Sequence, residues 1–425
     1  MAKFRIEGGH PISGTFEPRG NKNAVLPMLA ASLLTDQPVT LENIPLIKDV
    51  EVMLELLQAL GVQITLEGHT LTLQASHLST TELDPPLCAR VRTSILLAGP
   101  LAARHGHATI YPPGGDIIGR RRLDTHFHGL TALGIQIDLN HAYHFHAHQL
   151  TSADIILDEA SVTATENILM AATLATGQTT LYNAACEPHV QDLAHLLNAM
   201  GARITGIGTN RLHIEGVKTL HGTTHRVQPD YIEVGSFIAA SVATGGHLTI
   251  PRAGDPHILR ILQRTYARLG VHWHLTDDTL HLPQQTDRSI EGDIGNATPK
   301  IEDGIWPAFP SDLMSVAIVL ATQTQGTALF FEKMFESRMY FVDHLMSMGA
   351  NIIPCDPHRV VVVGPTQLRG STLTSPDIRA GMAMLIAACC ANGKSLIKNA
   401  GVIDRGYEAI EDRLTALGAH MVRES

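Results

Sequence analysis

Hydrophobic residues along the chain follow two helical patterns that alternate. In the first pattern, exemplified by DVEVMLELLQAL, apolar residues recur at intervals of three and four, which predicts an amphipathic helix. In the second, exemplified by ENILMAATLAT and AGMAMLIAACCAN, almost every position is apolar, which predicts a helix that is buried on all sides. Between them, stretches such as VQITLEG and LTLQAS alternate polar and apolar residues around a short turn, which predicts a β-hairpin.

A short signature indicates that this arrangement repeats along the chain. Each amphipathic stretch ends in Leu or Met followed by glycine, and a strand pattern comes next. The glycines are Gly61, Gly134, Gly201, Gly270, Gly349 and Gly418, and neighbours are between 67 and 79 residues apart. A glycine at a helix C-terminus closes the last turn in the left-handed conformation. We therefore predict six units, each with a buried helix, a strand, an amphipathic helix and a hairpin.

Six such units predict an α/β (α+β) fold with the helices inside and the sheets outside, which is an inside-out α/β barrel. The repeat alone leaves open whether the units form one ring or two groups of three. One connection, YPPGGDIIGRRR, is unusually long and rich in Pro, Gly and Arg. A loop that departs from a regular scaffold in this way is a candidate for function.

Composition excludes several classes of function. The chain has 44% hydrophobic and 17% charged residues, and a net charge of -10 with neutral histidines, which argues against a nucleic-acid partner. No window approaches the roughly 18 apolar residues of a membrane span, so we expect no membrane partner. Five cysteines without metal-site spacing fit a reducing compartment, and we expect a cytoplasmic protein. An anionic ligand would need a local cluster of Lys and Arg.

Lys22 and Asn23 are candidates for such a cluster, because they stand where a buried helix begins. A helix N-terminus already attracts anions through its free N–H groups and its dipole. The alternative is a solvated lysine beside an Asn23 that caps the helix, and the local sequence favours neither.

Three arginines lie at comparable helix starts. Arg92 and Arg379 begin buried helices, and Arg405 opens an amphipathic one. Because a cation there opposes the helix dipole, each needs an anionic partner. A bound oxyanion or the neighbouring carboxylates Asp377 and Asp404 could serve.

Carboxylates also stand near the starts of buried helices. Helix capping is the favoured interpretation for most of them, including Asp230 and Glu166. Asp312 is the preferred candidate for a base, because Pro307 and Pro310 make its approach rigid.

Histidine is abundant, with 24 in the chain, and His144, His146 and His148 would share one face of a strand. We favour a solvated hairpin face over a catalytic metal site, and we expect no metal and no organic cofactor. No phosphate loop, dinucleotide fingerprint or nucleophile elbow is present in the sequence.

The chain resembles the UDP-N-acetylglucosamine 1-carboxyvinyltransferases of the enolpyruvyl transferase family over essentially its whole length. The resemblance is carried by separate segments in the same order, among them RGNKNAVLPMLAA, GGDIIGRRRLDTH, PDYIEVGSF, FPSDLMS, SPDIRA and DRGYEAIEDRL. It implies two domains of three units each. One comprises residues 1–21 plus 230–425, and the other comprises residues 22–229 and carries a mobile loop at 111–123.

The resemblance also implies an activity: transfer of the enolpyruvyl group of phosphoenolpyruvate to the 3-hydroxyl of UDP-N-acetylglucosamine, with release of phosphate, at the start of peptidoglycan precursor synthesis. The implied catalytic residues are Asp116, Lys22, Asp312 and Arg405. Phosphoenolpyruvate would be bound by Lys22, Asn23, Arg121 and Arg405. The nucleotide sugar would be bound by Arg92, Arg121, Arg122, Leu123, Asp124, Thr125, Ser161, Asp312 and Met334.

Two positions depart from the family pattern. Asp116 stands where most relatives carry the cysteine that the epoxide fosfomycin alkylates, so we expect Asp116 as general acid and an enzyme insensitive to the drug. Arg122 stands where proline is usual. These departures leave open an enolpyruvyl transferase for a different uridine nucleotide. Transfer to shikimate 3-phosphate and a non-catalytic nucleotide-sugar-binding paralogue are the further alternatives.

Overall fold

The computed structural model describes residues 2–116, 118–119 and 121–424. These form two compact units. The first contains residues 2–19, 118–119 and 229–424, and the second contains residues 20–116 and 121–228. The sequence placed the changes of domain after residues 21 and 229, and assigned the whole 111–123 loop to the second domain. In the structure residues 118–119 group with the first unit instead, where the Ser337 amide donates to the Ile118 carbonyl at 3.2 Å.

The helices follow the two predicted patterns. They are α1 (Lys22–Ala31), α2 (Lys48–Leu60), α3 (Pro85–Cys88), α4 (Ala98–His105), α5 (Asp124–Ala132), α6 (Val162–Ala172), α7 (Pro188–Ala199), α8 (Tyr231–Ala243), α9 (Pro256–Arg268), α10 (Ser311–Thr322), α11 (Val342–Ser347), α12 (Ile378–Cys390) and α13 (Ile410–Ala416). Short 3-10 helices span Ser32–Leu34, Arg92–Leu97 and Ala400–Arg405.

The strands are short, as expected for small sheets that each cover a few helices. They are β1 (Lys3–Glu7), β2 (Gly14–Thr15), β3 (Val39–Glu42), β4 (Gln63–Glu67), β5 (Thr70–Gln74), β6 (His107–Ile110), β7 (Gln136–Leu139), β8 (Tyr143–His146), β9 (Asp154–Ile156), β10 (Gln178–Tyr182), β11 (Arg203–Thr205), β12 (Arg211–Glu215), β13 (Thr223–Arg226), β14 (Leu248–Ile250), β15 (His274–Thr276), β16 (Thr279–Leu282), β17 (Lys300–Glu302), β18 (Gly326–Phe331), β19 (Asn351–Asp356), β20 (Arg359–Gly364), β21 (Thr372–Thr374), β22 (Lys394–Lys398) and β23 (His420–Glu424).

Each repeat contributes one small sheet, and six sheets occur among the described residues. In the second unit their strand orders are β13-β3-β5-β4, β6-β8-β7 and β11-β12-β10-β9. In the first unit they are β15-β16-β14-β2, β17-β18-β20-β19 and β21-β22-β1-β23. Every predicted hairpin is antiparallel, for example β4 with β5 and β19 with β20.

Two features of the sheets were missing from the predicted unit. A further short strand pairs in parallel with the strand that follows the buried helix, as β9 does with β10 and β17 with β18. Strands of two to four residues are too short for a period-two pattern to reveal them. The sixth hairpin is completed by the N-terminus, because β1 lies between β22 and β23 and is antiparallel to both.

The six signature glycines adopt the conformation that the sequence predicted. Their φ angles lie between +73° and +101°, in the left-handed region that favours glycine. At Gly61 the backbone amide closes the end of α2 by donating to the Gln58 carbonyl at 3.0 Å.

The core of each unit is built from its apolar helices. In the first unit α8, α10 and α12 pack on one another, and every residue of α8 is buried. In the second unit α6 packs on both α1 and α4. Burial alternates along strands such as β12, so one sheet face covers the helices while the other meets solvent. This arrangement confirms the predicted fold. No helix among the described residues is long and apolar enough to cross a membrane.

Helix starts differ in detail from the sequence-based expectations. Asn21, not Asn23, caps α1 by accepting from the amides of Asn23 and Ala24. Ser161 caps α6, and Glu166 lies buried inside that helix. Asp230 caps α8, as expected.

Candidate functional site

Lys22 is the first residue of α1 in the second unit, and its side chain is buried. Its Nζ lies 2.8 Å from Asp49 Oδ2, and 10% and 6% of the two side chains are exposed. This buried ion pair fixes the direction of the Lys22 side chain at the start of the helix. The neighbouring Asn23 is half-buried, and its amide donates to Asn21.

Arg92 lies in the same unit at the start of the 3-10 helix Arg92–Leu97 and is hydrogen-bonded to the end of the GGDIIGRRR loop. Its Nη2 donates to the carbonyls of Arg121 at 2.8 Å and Arg122 at 3.2 Å. Burial, and then the like charge of Arg121, lower the pKa of Arg92 to about 10. Burial and a like charge both disfavour the charged form of Arg92, and the negative charge of a bound anion would counteract them. The site therefore favours an anionic ligand.

The segment that begins α5 is tied to a second carboxylate. Thr125 donates to Asp158 Oδ1 at 2.7 Å, and Arg122 Nη2 donates to Asp158 Oδ2 at 2.9 Å. Leu123 stands at the N-cap position of α5 and Asp124 is the first, exposed residue of the helix. The Ser161 hydroxyl is used in capping α6, where it accepts from the Ala164 amide.

The glycine-rich loop packs closely on the base of Arg92. The Gly114 amide donates to the Cys88 carbonyl at 3.0 Å. Gly115 has a φ of +109°, and a β-carbon there would lie 2.9 Å from Arg92 Cβ, so both backbone angle and space require glycine. Asp116 follows directly and is half-buried. Ile117 and Arg120 lie outside the described residues.

Asp312 in the first unit is held by two arginines. Arg338 Nη2 lies 2.6 Å from Asp312 Oδ1, while Arg379 Nε and Nη2 lie 2.9 Å and 2.8 Å from Oδ2. The arginine side chains are 8% and 6% exposed, and the carboxylate retains 24% exposure. Burial alone would raise the pKa of Asp312, but Arg379 and then Arg338 outweigh it and hold the pKa well below its usual range.

The structure gives roles to the carboxylates that the sequence analysis singled out near these helix starts. Asp312 does not cap α10, whose N-cap position is Pro310. The carboxylate partner of Arg379 is Asp312, whereas Asp377 caps α12. Asp404 pairs with Arg423 through two hydrogen bonds of 2.9 Å and 2.6 Å.

Arg405 ends the 3-10 helix Ala400–Arg405 and does not open an amphipathic helix, since α13 begins only at Ile410. Two residues later, Tyr407 Oη accepts from Arg379 Nη1 at 3.3 Å and lies 2.9 Å from Ser236 Oγ. The segment that carries Arg405 is therefore connected to Asp312 through Arg379.

Met334 is 40% exposed and belongs to a turn beside the start of α10. Its amide donates to Glu332 Oε1 at 3.2 Å, and the Ser311 hydroxyl donates to the same oxygen at 2.9 Å. Met334 and Asp312, the predicted nucleotide-sugar contacts of this unit, are thus joined through Ser311 and Glu332.

Sequence reasoning did not select the partners of the predicted residues. Asp49, Asp158 and Arg338 carry no periodic signal in the sequence that would mark them as partners. The histidines of β8 remain on a sheet: Thr109 Oγ1 lies 3.1 Å from His144 Nδ1. In the described part of the chain no three His, Cys, Asp or Glu side chains are arranged to hold a metal ion.

Comparison with known proteins identifies the family. Residues 6–414 match the model of EPSP synthase (3-phosphoshikimate 1-carboxyvinyltransferase). The chain belongs to the EPSP synthase family. Relatives in this family named UDP-N-acetylglucosamine 1-carboxyvinyltransferase include the protein of Bradyrhizobium diazoefficiens, 54% identical over 99% of this chain and 98% of the relative. That of Treponema pallidum is 53% identical over 100% of both chains.

Solved structures of EPSP synthase-like folds agree. The enolpyruvyl transferase NikO from Streptomyces tendae superposes with a TM-score of 0.88 at 24% identity, over 99% of this chain and 98% of NikO. EPSP synthase from Acinetobacter baumannii gives a TM-score of 0.76 at 16% identity over 100% of both chains. These likenesses confirm the predicted fold, and the family match confirms the prediction of a carboxyvinyl transferase.

Proposed function

We propose that this protein transfers the enolpyruvyl group of phosphoenolpyruvate to the 3-hydroxyl of UDP-N-acetylglucosamine and releases phosphate. The observation that carries the proposal is identity of 50% to 54% with five relatives named UDP-N-acetylglucosamine 1-carboxyvinyltransferase, over 98% to 100% of this chain. The proposed setting is the cytoplasm, at the first committed step of peptidoglycan precursor synthesis. The proposed partners are the two small-molecule substrates.

Phosphoenolpyruvate carries a phosphate and a carboxylate, and cations are the natural ligands of both. We assign its binding to Lys22, Asn23, Arg121 and Arg405. Lys22 supports this role because its ion pair with Asp49 holds its amino group at a buried helix start. Arginine and lysine are not equivalent here: a guanidinium can bind two oxygens at once, whereas Lys22 acts as a point charge.

The nucleotide sugar is assigned to Arg92, the segment from Arg121 to Thr125, Ser161, Asp312 and Met334. Arg92 supports a diphosphate ligand, because burial and Arg121 lower its pKa in the absence of an anion. Asp158 fixes Arg122 and Thr125 and so orders the start of α5.

The reaction is an addition followed by an elimination. A proton is added to the methylene carbon of phosphoenolpyruvate while the sugar oxygen bonds to the adjacent carbon. That carbon then loses phosphate, and a proton leaves the new methyl group to restore the double bond. Asp116 is assigned as the acid that protonates the methylene carbon. The packing of Gly114 and Gly115 on Cys88 and Arg92 supports this role, because it anchors the chain directly before Asp116.

Asp312 is assigned to accept the proton of the sugar hydroxyl. With Arg338 and Arg379 bound, its lowered pKa makes it a weak base but a well-oriented hydrogen-bond acceptor. The hydroxyl becomes far more acidic as its oxygen bonds to carbon, so a weak carboxylate base is sufficient at that stage. The two arginines would also hold the carboxylate in one orientation through the reaction.

Release of inorganic phosphate tests the proposal. Purified protein is incubated with phosphoenolpyruvate, with and without UDP-N-acetylglucosamine, and each mixture is run with and without fosfomycin. We expect release only with the acceptor, and continued release in the drug because a carboxylate is a much poorer nucleophile towards an epoxide than a thiolate. Folded protein that binds phosphoenolpyruvate but releases no phosphate with this acceptor would contradict the proposed substrate. Irreversible inactivation with an adduct on Asp116 would contradict the proposed insensitivity.

A further inference from the structure

A pair of buried carboxyls lies beneath the start of α10 in the first unit. Asp303 and Glu332 are each fully buried, at 0% exposure. They are the residues that directly follow β17 and β18, which run parallel with Glu302 opposite Phe331. The ends of the two strands therefore bring the carboxyls side by side.

The donors around the pair show where a proton must lie. Glu332 Oε1 accepts from the amides of Met334 at 3.2 Å and Phe335 at 3.1 Å. Asp303 Oδ1 accepts from the Lys333 amide at 2.5 Å. Asp303 Oδ2 is buried and finds no donor among the described N–H and O–H groups. A buried carboxylate oxygen without a donor is costly, and a proton on the adjacent Glu332 carboxyl would supply that donor.

The protonated pair joins two segments of the candidate site. The Ser311 hydroxyl donates to Glu332 at 2.9 Å and 3.0 Å, and Ser311 immediately precedes Asp312. On the other side, Glu332 binds the turn that leads to Arg338, whose Nη2 lies 2.6 Å from Asp312. The start of α10 has no side-chain cap from Pro310, so Glu332 is what holds this first turn against the Met334 segment.

We propose that Glu332 is a positioning residue that shares one proton with Asp303. It thereby keeps Asp312 and Arg338 at a fixed separation for the transfer reaction. The inference rests on the proposed function. Loss of the shared proton would place two adjacent negative charges in a buried site and release the hydrogen bonds that join Ser311 to the Met334 turn. Asp312 and Arg338 would then lose their fixed separation.

Burial, and then the neighbouring Asp303, raise the pKa of Glu332 to about 9, which agrees with a proton retained at neutral pH. Other charged or titratable groups also act on the pair. Arg338 acts in the opposite direction, and His358 Nδ1 lies 2.8 Å from the Glu332 carbonyl. Lys333 on the Met334 turn, its ion-pair partner Glu302 at 3.5 Å on β17, and Asp312 on α10 are further charged groups nearby.

Glu332→Gln is the variant that tests the proposal, because its amide can donate to Asp303 permanently while its oxygen accepts from Met334 and Phe335. We expect kcat of the wild type to fall about tenfold for each pH unit above about 9, as a single ionisation requires. At pH 7 the kcat of Glu332→Gln should lie within about threefold of the wild-type value. Above about pH 9 its kcat should not fall. Glu291→Gln is the same change at an exposed position of the same unit, and its kcat should fall above about pH 9 as in the wild type. An identical alkaline fall in Glu332→Gln would overturn the proposal.

A second measurement needs no substrate and separates this inference from the proposed function. Because the folded-state pKa of Glu332 is raised, its contribution to stability is complete at low pH and is lost as pH rises towards 9. The unfolding midpoint of the wild type should therefore drop relative to Glu332→Gln between about pH 5 and pH 9. If the wild type turned over no phosphoenolpyruvate but showed this difference, the proposed function would fail and the shared proton would stand. Parallel unfolding curves would disprove the shared proton itself.

Discussion

Two carboxyl groups near the starts of buried helices differ in charge, because one is ionised and the other is neutral. Asp312, in the first turn of α10, pairs with Arg338 and Arg379, and its pKa is held well below the usual range. Glu166, inside α6, is 1% exposed, and its Oε1 meets no hydrogen-bond partner within the described residues. Burial, and then Glu187, raise the pKa of Glu166 well above its usual range. Burial pushes both groups towards the neutral form, and only the presence of arginines reverses the outcome.

The difference separates a candidate for chemistry from a structural group. An ionised carboxylate with 24% exposure can meet a substrate hydroxyl. A neutral, enclosed glutamic acid cannot exchange protons readily with a ligand. Asp312 is the second residue of α10 and Glu166 is the fifth residue of α6, and the partners of each carboxyl decide its charge.

The largest expected effect comes from Asp312→Asn. It removes the proton acceptor and leaves the two buried arginines without a counter-charge, so kcat should fall by about 10²- to 10⁴-fold. Steady-state phosphate release measures the loss. Asp277→Asn is the matched control: Asp277 is exposed, with a φ of +54° that asparagine also tolerates. Activity of Asp312→Asn within a few fold of the wild type would remove Asp312 from the chemistry.

The next effect concerns a third carboxyl, Asp116, which is half-buried. Replacing it by alanine should lower kcat about 10²- to 10³-fold through loss of the acid. Asp116→Cys should recover much of this rate and become sensitive to irreversible inactivation by fosfomycin, because a thiolate is the better nucleophile.

Mass spectrometry of the treated proteins gives the decisive measurement for this substitution. One added drug molecule is expected on Asp116→Cys and none on the wild type or on Asp116→Asn. A cysteine variant that is active yet resists the drug would show that the side chain at position 116 does not determine sensitivity.

The pH dependence of stability should have opposite signs for the two helix-start carboxyls. For Asp312 the folded-state pKa is lowered. Its contribution to the free energy of unfolding is therefore present above about pH 4 and is lost as pH falls below that value. For Glu166 the folded-state pKa is raised, so its contribution is lost as pH rises above about 4.5. Denaturant unfolding of the wild type, Asp312→Asn and Glu166→Gln across this range tests both signs.

In that series Asp312→Asn should be destabilised by about 3 kcal/mol near neutral pH, because breaking a buried ion pair leaves uncompensated charge, and by less at pH 3. A constant difference across the range would mean that the arginines do not control the ionisation of Asp312.

Local features of this contrast could be predicted from the sequence, while the decisive contacts could not. The glycine at each helix end acts within a few residues, and all six were found from spacing alone. Asp312 was selected because Pro307 and Pro310 precede it. Its partners lie 26 and 67 residues further along the chain, and neither helical nor strand periodicity encodes a contact at such a separation. For the same reason capping was expected at Glu166, whereas its enclosure depends on packing from other elements.

Glu166→Gln should have the smallest effect, and it tests the neutral side of the contrast most directly. Glutamine matches the protonated acid in size and polarity, so the free energy of unfolding near pH 7 should change by no more than about 1 kcal/mol, and kcat should change less than about threefold. With rising pH the free energy of unfolding of Glu166→Gln should increase relative to that of the wild type, since only the wild type can acquire a buried charge. Glu166→Ala provides the contrast, because the cavity that it leaves should be destabilising at every pH. A Glu166→Gln protein as damaged as Asp312→Asn would mean that Glu166 is ionised in the fold, and the two helix starts would then no longer differ in the way that we infer.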